Sequence, residues 1–544
     1  VYEITATPLE SVAFADVAHI RGYDAIRTDY PGYLSDESKL TMGPFDFLFF
    51  PKDEVELAAV IREMTAKGIG ITVAGARTGV VGGCVPPGGA MVSLEKMNRM
   101  LALYYVAHAD EWRVRAQPGV LISELDRAAM SGVFRELETD ADETIQAALV
   151  QFRAQPAKYF YPPDPTEMNA SLGGNVATNA SGARTFRYGP TRDWVRGLRV
   201  MTLHGEILDI PRGKYFSSPG GQFTVYHSTG DYLSIRVPDY TMPRTKNTAG
   251  FYASPHMDLV DLFIGSEGAF GIITAVDVGL LPWQPKCSIV QFVQSDDQAL
   301  SLVKALRSEK RLQLDFIEFY SANALNLLKD LQAEDPCRTG MPAIPESAGA
   351  AVFFELAFDP EAVMPDGSVL EEAVAKAGVS LADSWAGYES REAARFKMFR
   401  HLLPETVTRV IAERKKTHPG LHRLSSDLAV PDEHLADIWN LYKQRLNDAG
   451  IEWVGYGHVG NNHFHISSMP RDMEEMEKGM AIYKEFAERA VAYGGTISAE
   501  HGIGKLKVKY LKTMYSDGQL EQMRALKQAF DPGMLLNPGN IFTH

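Results

Sequence analysis

Two histidines and a carboxylate carry the first chemical signal in this chain. In Gly457-His458-Val459-Gly460-Asn461-Asn462-His463-Phe464-His465, the Asn461-Asn462 pair reads as a two-residue hairpin loop, because asparagine tolerates the positive φ that such loops demand. That register opposes Gly460 to His463, Val459 to Phe464 and His458 to His465. Directly opposed residues share a sheet face, with Cβ atoms roughly 4.5–5.5 Å apart. Two imidazoles at that spacing either chelate one divalent metal or stand as partly exposed hairpin residues. Glu500 and His501, in SAEHGIG, tip the balance toward chemistry. A carboxylate completes a two-His, one-carboxylate site with open positions for substrate oxygens. Gly502 and Gly504 permit a turn that presents both neighbours.

The second signal is a set of small-residue loops. Gly75-Ala76-Arg77-Thr78-Gly79-Val80-Val81-Gly82-Gly83 follows an apolar strand. Its glycines let backbone approach a ligand and turn successive N–H groups toward an anion, so a pyrophosphate is the natural occupant. A tight inter-strand loop is the alternative. The run Asn169-Ala170-Ser171-Leu172-Gly173-Gly174-Asn175-Val176-Ala177-Thr178-Asn179-Ala180-Ser181-Gly182 is poor material for a core helix and good material for a flat wall against a large planar ligand. Its Asn and Thr side chains can bond ribityl hydroxyls and ring heteroatoms. Gly265-Ser266-Glu267-Gly268-Ala269-Phe270-Gly271 repeats the chemistry. Together the three segments point to a dinucleotide. Gly455-Tyr456-Gly457-His458-Val459-Gly460 spells GxGxxG, but strand rather than helix follows it, so the match does not support NAD.

These loops need a scaffold, and the periodicities supply one. FDFLFF reads as a strand, DEVELAAVIREMTAKG as a helix started by Asp53 and stopped by Gly68, and IGITVAG and AMVSL as buried strands. Residues 136–160 read as an inserted helical hairpin, and 211–245, rich in Pro, Gly, Ser and aromatics, as a second insertion. LVDLFIGSEGAFGIITAVDVGLLP reads as a helix end, a glycine turn and a strand. After about Pro285, strand-like runs (SIVQFVQ, DFIEFY, AVFFELAF, LSSDLAVP, EWVGYGHV, HFHISS) alternate with helical ones, as in a ferredoxin-like sheet with helices on one face.

The totals exclude other classes. A chain of 544 residues exceeds one ordinary core, and a net charge of −15 leaves no basic block for a phosphate backbone, so no nucleic-acid partner is expected. Cys84, Cys287 and Cys337 are far apart and form no CxxC pair, which fits a reducing, cytoplasmic setting rather than disulfides or clusters. No apolar run approaches the ~18 residues of a membrane span. Peripheral attachment to the inner membrane and a homodimer are both compatible with such a chain.

From about residue 41 to the end, the chain resembles the FAD-linked oxidases of the vanillyl-alcohol oxidase and p-cresol methylhydroxylase type. Within them it is similar to D-lactate dehydrogenases, D-2-hydroxyglutarate dehydrogenases and the flavin subunit of glycolate oxidase. The motifs are GARTGVVGG, PPDPTEMNASLGGNVATNASG, LFIGSEGAFGIIT, GHVGNNHFH, GGTISAEHGIG and FDPGMLLNPGNIF. The resemblance implies an α+β architecture: an extension over 1–40, a two-part FAD-binding domain over 41–283, a ferredoxin-like cap over 284–520, and a segment over 521–544 that returns to the FAD domain. It implies FAD contacts at Gly75, Ala76, Arg77, Thr78, Gly79, Gly82, Gly83, Asp164, Ser171, Gly174, Asn175, Ala177, Thr178, Asn179, Gly182, Glu267, Gly271, Ile272, Ile273 and Asn537. The flavin is expected to be non-covalent, since no linking histidine stands in the 75–83 loop.

The resemblance further implies that His458, His465 and Glu500 hold a divalent metal, zinc or manganese, with iron as a third option. It makes His501 the catalytic base and Arg400, in FRHLLPE, the clamp for a substrate carboxylate. The family's His-x-Gly-Asp-Gly-Asn-x-His is altered here by Asn461, Asn462 and a third imidazole at His463. Hydroxyglutarate-type relatives carry Thr and Lys where this chain has Pro404 and Ser425, which favours a monocarboxylate such as lactate. The expected activity is oxidation of D-lactate to pyruvate. Glycolate, D-2-hydroxyglutarate or another alcohol as substrate, or a subunit working mainly in an electron-transfer complex, are the alternatives. The electron acceptor is expected to be a quinone, a cytochrome or an electron-transfer flavoprotein.

Overall fold

Asp53 begins the first long helix as its chemistry requires: its carboxylate accepts the backbone N–H of Glu56 at 2.9 Å. The helix Glu54–Ala66 buries Leu57, Val60, Ile61 and Met64 on one side. It is the crossover that lets the strands Phe47–Phe49 and Ile71–Ala74 both lie parallel to Ala90–Ser93, with His19–Arg21 antiparallel at the edge. The computed structural model describes residues 1–542 except 141, 165, 336–339, 360–366 and 389. Cys337 lies outside the described residues.

A second sheet is built around Ile272–Gly279, which is buried at every position and flanked by Val195–Met201 and Glu111–Ala116, both antiparallel to it. Thr7–Pro8 and Met100–Val106 are its edges. Residues 1–40 are woven into this half of the molecule. Glu3–Thr5 pairs in parallel with Thr224–Tyr226, and Thr7–Pro8 pairs with Glu206 and Ile207. The first insertion holds the helices Arg135–Asp140 and Glu143–Arg153. The second holds an antiparallel hairpin, Gln222–Tyr226 with Tyr232–Arg236, which the N-terminal strand extends.

The C-terminal half is a third sheet. Its strands run in the order Ser384–Gly387, Lys286–Val293, Ala350–Ala357, Gln313–Tyr320, Trp453–Gly457, His463–Ser468 and Leu424–Ser425. Alternation along the strands sends side chains to two cores. Ile289, Ile317, Val352 and Phe354 meet the helices Asp296–Ser308 and Leu435–Asp448. Val290, Phe316, Ala351 and Phe353 meet Ala322–Glu334 and the long helix Ser390–Arg414. Helices therefore cover both faces, not the single face expected from sequence, because strands apolar on both sides must be covered on both. The chain end then returns to the first sheet, where Leu536 bridges Ile71 and the N–H of Asn537 donates to the Ile71 carbonyl at 2.7 Å. Among the described residues, no helix is long and apolar enough to cross a membrane.

Candidate functional site

The strand Ile71–Ala74 delivers the glycine loop to the mouth of a cleft. Gly75, Ala76, Arg77, Thr78, Gly79 and Gly83 line it from one side, and Ser171, Gly174, Asn175, Ala177 and Thr178 from another. Glu267, Asn537, Asn540 and His501 complete the wall. The small-residue run is compact because it must be: a Cβ on Gly173 would stand 2.4 Å from Pro118. The helix Leu172–Thr178 ends with Asn179 in the left-handed region, and Arg77, Glu267 and Asn537 adopt the same conformation. Such backbone is held in place by its surroundings, which here bind it closely. Asn537 accepts the N–H of Val73 at 2.8 Å, and Glu267 accepts those of Ile503 and Gly504 at 2.6 and 2.8 Å.

The remaining expected cofactor residues lie around this cleft. Gly82 faces Lys505, whose ammonium donates to its carbonyl and to that of Gly83, both at 3.2 Å. Asn179 and Gly182 lie toward a neighbouring cavity and Lys246. Gly271, Ile272 and Ile273 pack against Val200 and Met201. Asp164 ion-pairs with Arg400 at 3.8 Å.

The cleft suits a dinucleotide. A Cβ on Gly75 would meet Ser171 Oγ at 2.1 Å, so glycine there lets the two small-residue segments close on each other at the cleft wall. Asn175 Nδ2 is buried without a hydrogen-bond partner, while Arg77 lies over the Tyr33 ring at 3.9 Å and ion-pairs with Glu95 at 3.6 Å. An unpaired donor such as the Asn175 amide awaits an acceptor such as a phosphate or ring oxygen.

At the other end of the wall the histidines gather, though not in the expected register. Tyr456, not His458, opposes His465, and Gly455 opposes Ile466, a slip of two residues. The loop is longer than a two-residue turn: Val459–Asn461 forms a 3-10 turn closed by Asn462 at φ 55°. Arg307 and Asp432 pin it by bonding Asn462 at 2.7 and 2.5 Å. His458 lies just past the strand's end, where Gly457 at φ 138° turns the chain, and its imidazole still meets that of His465. The His458 and His465 ring centroids are 5.2 Å apart. One ligand atom each from His458, His465 and Glu500 lie within 4.8 Å of one another. Buried, convergent and of the two-His, one-carboxylate type, these donors fit a divalent cation. The formal GxGxxG is strand, 3-10 turn and strand, with no helix N-terminus for a pyrophosphate.

Two groups that the sequence did not single out, Glu318 and Asp427, hold this cluster. Glu318 stands 2.9 Å from Nδ1 of His458 and accepts Nε of Arg400 at 3.0 Å. Burial pushes the Asp164 carboxyl up, but Arg400 and Arg184 outweigh it and bring it to about 2. Asp427, fully buried, accepts the backbone N–H groups of both Glu500 and His501 at 3.0 Å, with Ser498 and Lys507 at 2.7 and 2.6 Å. His463 abuts the cluster, with Nδ1 3.7 Å from Glu500 and Nε2 3.1 Å from Asp427 but off the hydrogen-bond line. The signal for these residues was present: Glu318 in DFIEFY and Asp427 in LSSDLAVP are charges inside apolar strand-like runs, costly to bury unless paired.

His501 joins the two regions. It lines the cleft, and its ring lies 5.8 Å from that of His465. Burial pushes its imidazole down to about 4, against the pull of Asp427, so the ring is a neutral base near neutral pH. Nδ1 faces Asp427 at 3.4 Å, leaving Nε2 for other work.

Comparison with known proteins identifies the family. The family model for FAD linked oxidases, C-terminal domain, matches residues 284–541, and that for an FAD binding domain matches 45–151 and 144–211. A D-lactate dehydrogenase of Anaerostipes hadrus is 30% identical over 89% of this chain and 87% of its own length. The glycolate oxidase subunit GlcD of Bacillus subtilis (strain 168) is 28% identical over 91% of this chain and 89% of its own. Among solved structures, alkyldihydroxyacetonephosphate synthase shares the fold with a TM-score of 0.57 at 14% identity, over 92% of this chain and 77% of that one. Matched along nearly its whole length, the chain belongs to the FAD-linked oxidases and is an FAD-dependent oxidoreductase.

Proposed function

We propose that this enzyme oxidises a small 2-hydroxy acid, D-lactate first, to the 2-oxo acid. The observation that carries the reading is the double position of His501, in the wall of the cofactor cleft and beside His465 of the His458–His465–Glu500 cluster. The names of the two curated relatives support the substrate class.

Bound FAD supplies a hydride acceptor at flavin N5. His458, His465 and Glu500 would hold a divalent ion, which would supply Lewis acidity. Arg400 binds the substrate carboxylate; Glu318 and Asp164 orient its guanidinium and keep it charged. His501 takes the hydroxyl proton on Nε2, and Asp427 steadies the ring from the Nδ1 side. A monocarboxylate suits the cap. Pro404 lies one turn beyond Arg400 in the same helix, and Ser425 Oγ is 3.2 Å from Ser467 Oγ, so neither supplies a second cation. Electrons leave to a quinone, a cytochrome or an electron-transfer flavoprotein.

The test is anaerobic bleaching of the flavin by a panel of D- and L-2-hydroxy acids, with and without a chelator. D-lactate is expected to bleach fastest, and the chelator to slow it. Faster bleaching by glycolate or D-2-hydroxyglutarate reassigns the substrate, and bleaching by none of the panel overturns the reading.

A further inference from the structure

Lys246 directly follows the second insertion, and its ammonium already bonds the carboxylate of the proposed metal cluster. Its side chain is 3% exposed and donates to the Glu500 carboxylate and to the Gly182 carbonyl, the latter at 2.9 Å. The next residues are stitched to the loop that carries Glu500 and His501. Thr248 N–H donates to the Ser498 carbonyl at 2.8 Å, Gly502 N–H to Thr248 Oγ1 at 3.0 Å, and Thr496 Oγ1 to Asn247 Oδ1 at 2.5 Å. With the backbone tied down on that side, rotation of the side chain is the simplest way for the ammonium to leave. Leave it must, or stay at a cost: Glu500 is the one carboxylate of the cluster, and an ammonium and a divalent ion on the same carboxylate repel each other strongly in a buried site.

Unpaired acceptors line the space beside it. Two cavities, of about 340 and 290 Å³, have Thr245, Lys246 and Asn461 in common in their walls. Asn461 Oδ1 and Thr245 Oγ1 are both buried without a hydrogen-bond partner. Unpaired buried acceptors are costly, and an ammonium is the donor they lack. We propose that Lys246 is a two-position cation: it caps Glu500 while no divalent ion is bound, and moves onto Asn461 Oδ1 and Thr245 Oγ1 when one binds. The inference rests on the His458–His465–Glu500 reading above. It gives the segment that follows the insertion a task, setting how tightly the site holds its ion and keeping Glu500 in place beforehand.

Flavin-loaded protein stripped of divalent ions is titrated with Zn²⁺ and with Mn²⁺ against a chelating dye, for the parent, Lys246→Met and Asn461→Ala. The flavin spectrum and thermal midpoint report folding. Lys246→Met is expected to bind the ion about tenfold more tightly or better, since the resident charge is gone. Asn461→Ala is expected to bind more weakly than the parent, since the displaced ammonium loses its second seat. Equal or weaker binding by a folded Lys246→Met overturns the lysine's role and leaves the ion site standing. Should that variant lose its flavin, Asn461→Ala decides, and unchanged affinity there overturns the proposal. Failure of the parent to bind either ion stoichiometrically overturns the ion site itself, and the lysine's role with it.

Discussion

One carboxylate oxygen of Glu318 stands 2.9 Å from Nδ1 of His458, and the same oxygen accepts Nε of Arg400 at 3.0 Å. Glu318 thus meets the proposed carboxylate clamp by a hydrogen bond and the proposed metal ligand as a neighbouring charge, the Nδ1 contact lying off the hydrogen-bond line. Outer carboxylates on ligating histidines fix the ring and its tautomer, and their loss typically costs about 10–100-fold in metal affinity. Glu318→Gln should lose affinity on that scale and raise the substrate KM as well. Dye competition and steady-state kinetics measure the two effects. A change in neither would leave Glu318 with a packing role only.

His501→Asn keeps much of the size of the ring and removes the base. General-base help is worth ~10²–10⁴ in rate, so anaerobic flavin reduction should slow by at least the lower figure while FAD stays bound. Stopped-flow absorbance follows the rate, and the flavin-to-protein ratio follows retention. Near-parental reduction would take His501 out of the chemistry.

The same imidazole carries a pH signature. Burial holds it down to about 4 against an ordinary value of 6.5. As pH falls below about 6.5 the unfolded chain takes up a proton on this ring, and the folded protein does not until about 4. The unfolded state thus binds more protons in that window, so the ring's contribution to stability is present above it and lost as pH falls through it. For catalysis the neutral base form persists, and flavin reduction should show no acid limb centred near 6.5. A limb there, in stopped-flow rates taken across that range, would contradict a buried neutral base.

Asp427 is the anchor of the Glu500–His501 loop, and Asp427→Asn leaves Lys507 with an uncompensated charge in the interior. Breaking a buried pair from one side costs about 3–5 kcal/mol. Denaturant unfolding should register a loss of that order, together with weaker metal binding. A loss below about 1 kcal/mol would show that the loop is held mainly by Thr248 and Glu267 instead.

The chemistry of the loops was legible in the chain itself. Gly75–Gly83 and the 169–182 run must be small because backbone has to approach other groups there, and that demand is written directly as composition. Apolar spacing likewise marked the helix Glu54–Ala66 and most strands of the cap, since local period and buried face are the same fact. The hairpin register was not legible. Two asparagines permit a tight turn, but Arg307 and Asp432, from other elements, draw Asn462 into a longer one. Nor could spacing show that Glu318, Asp427 and Lys246 meet the histidines. Pairing of buried charges depends on which strands become neighbours, and that is decided by the packing of the whole chain rather than by any stretch of it.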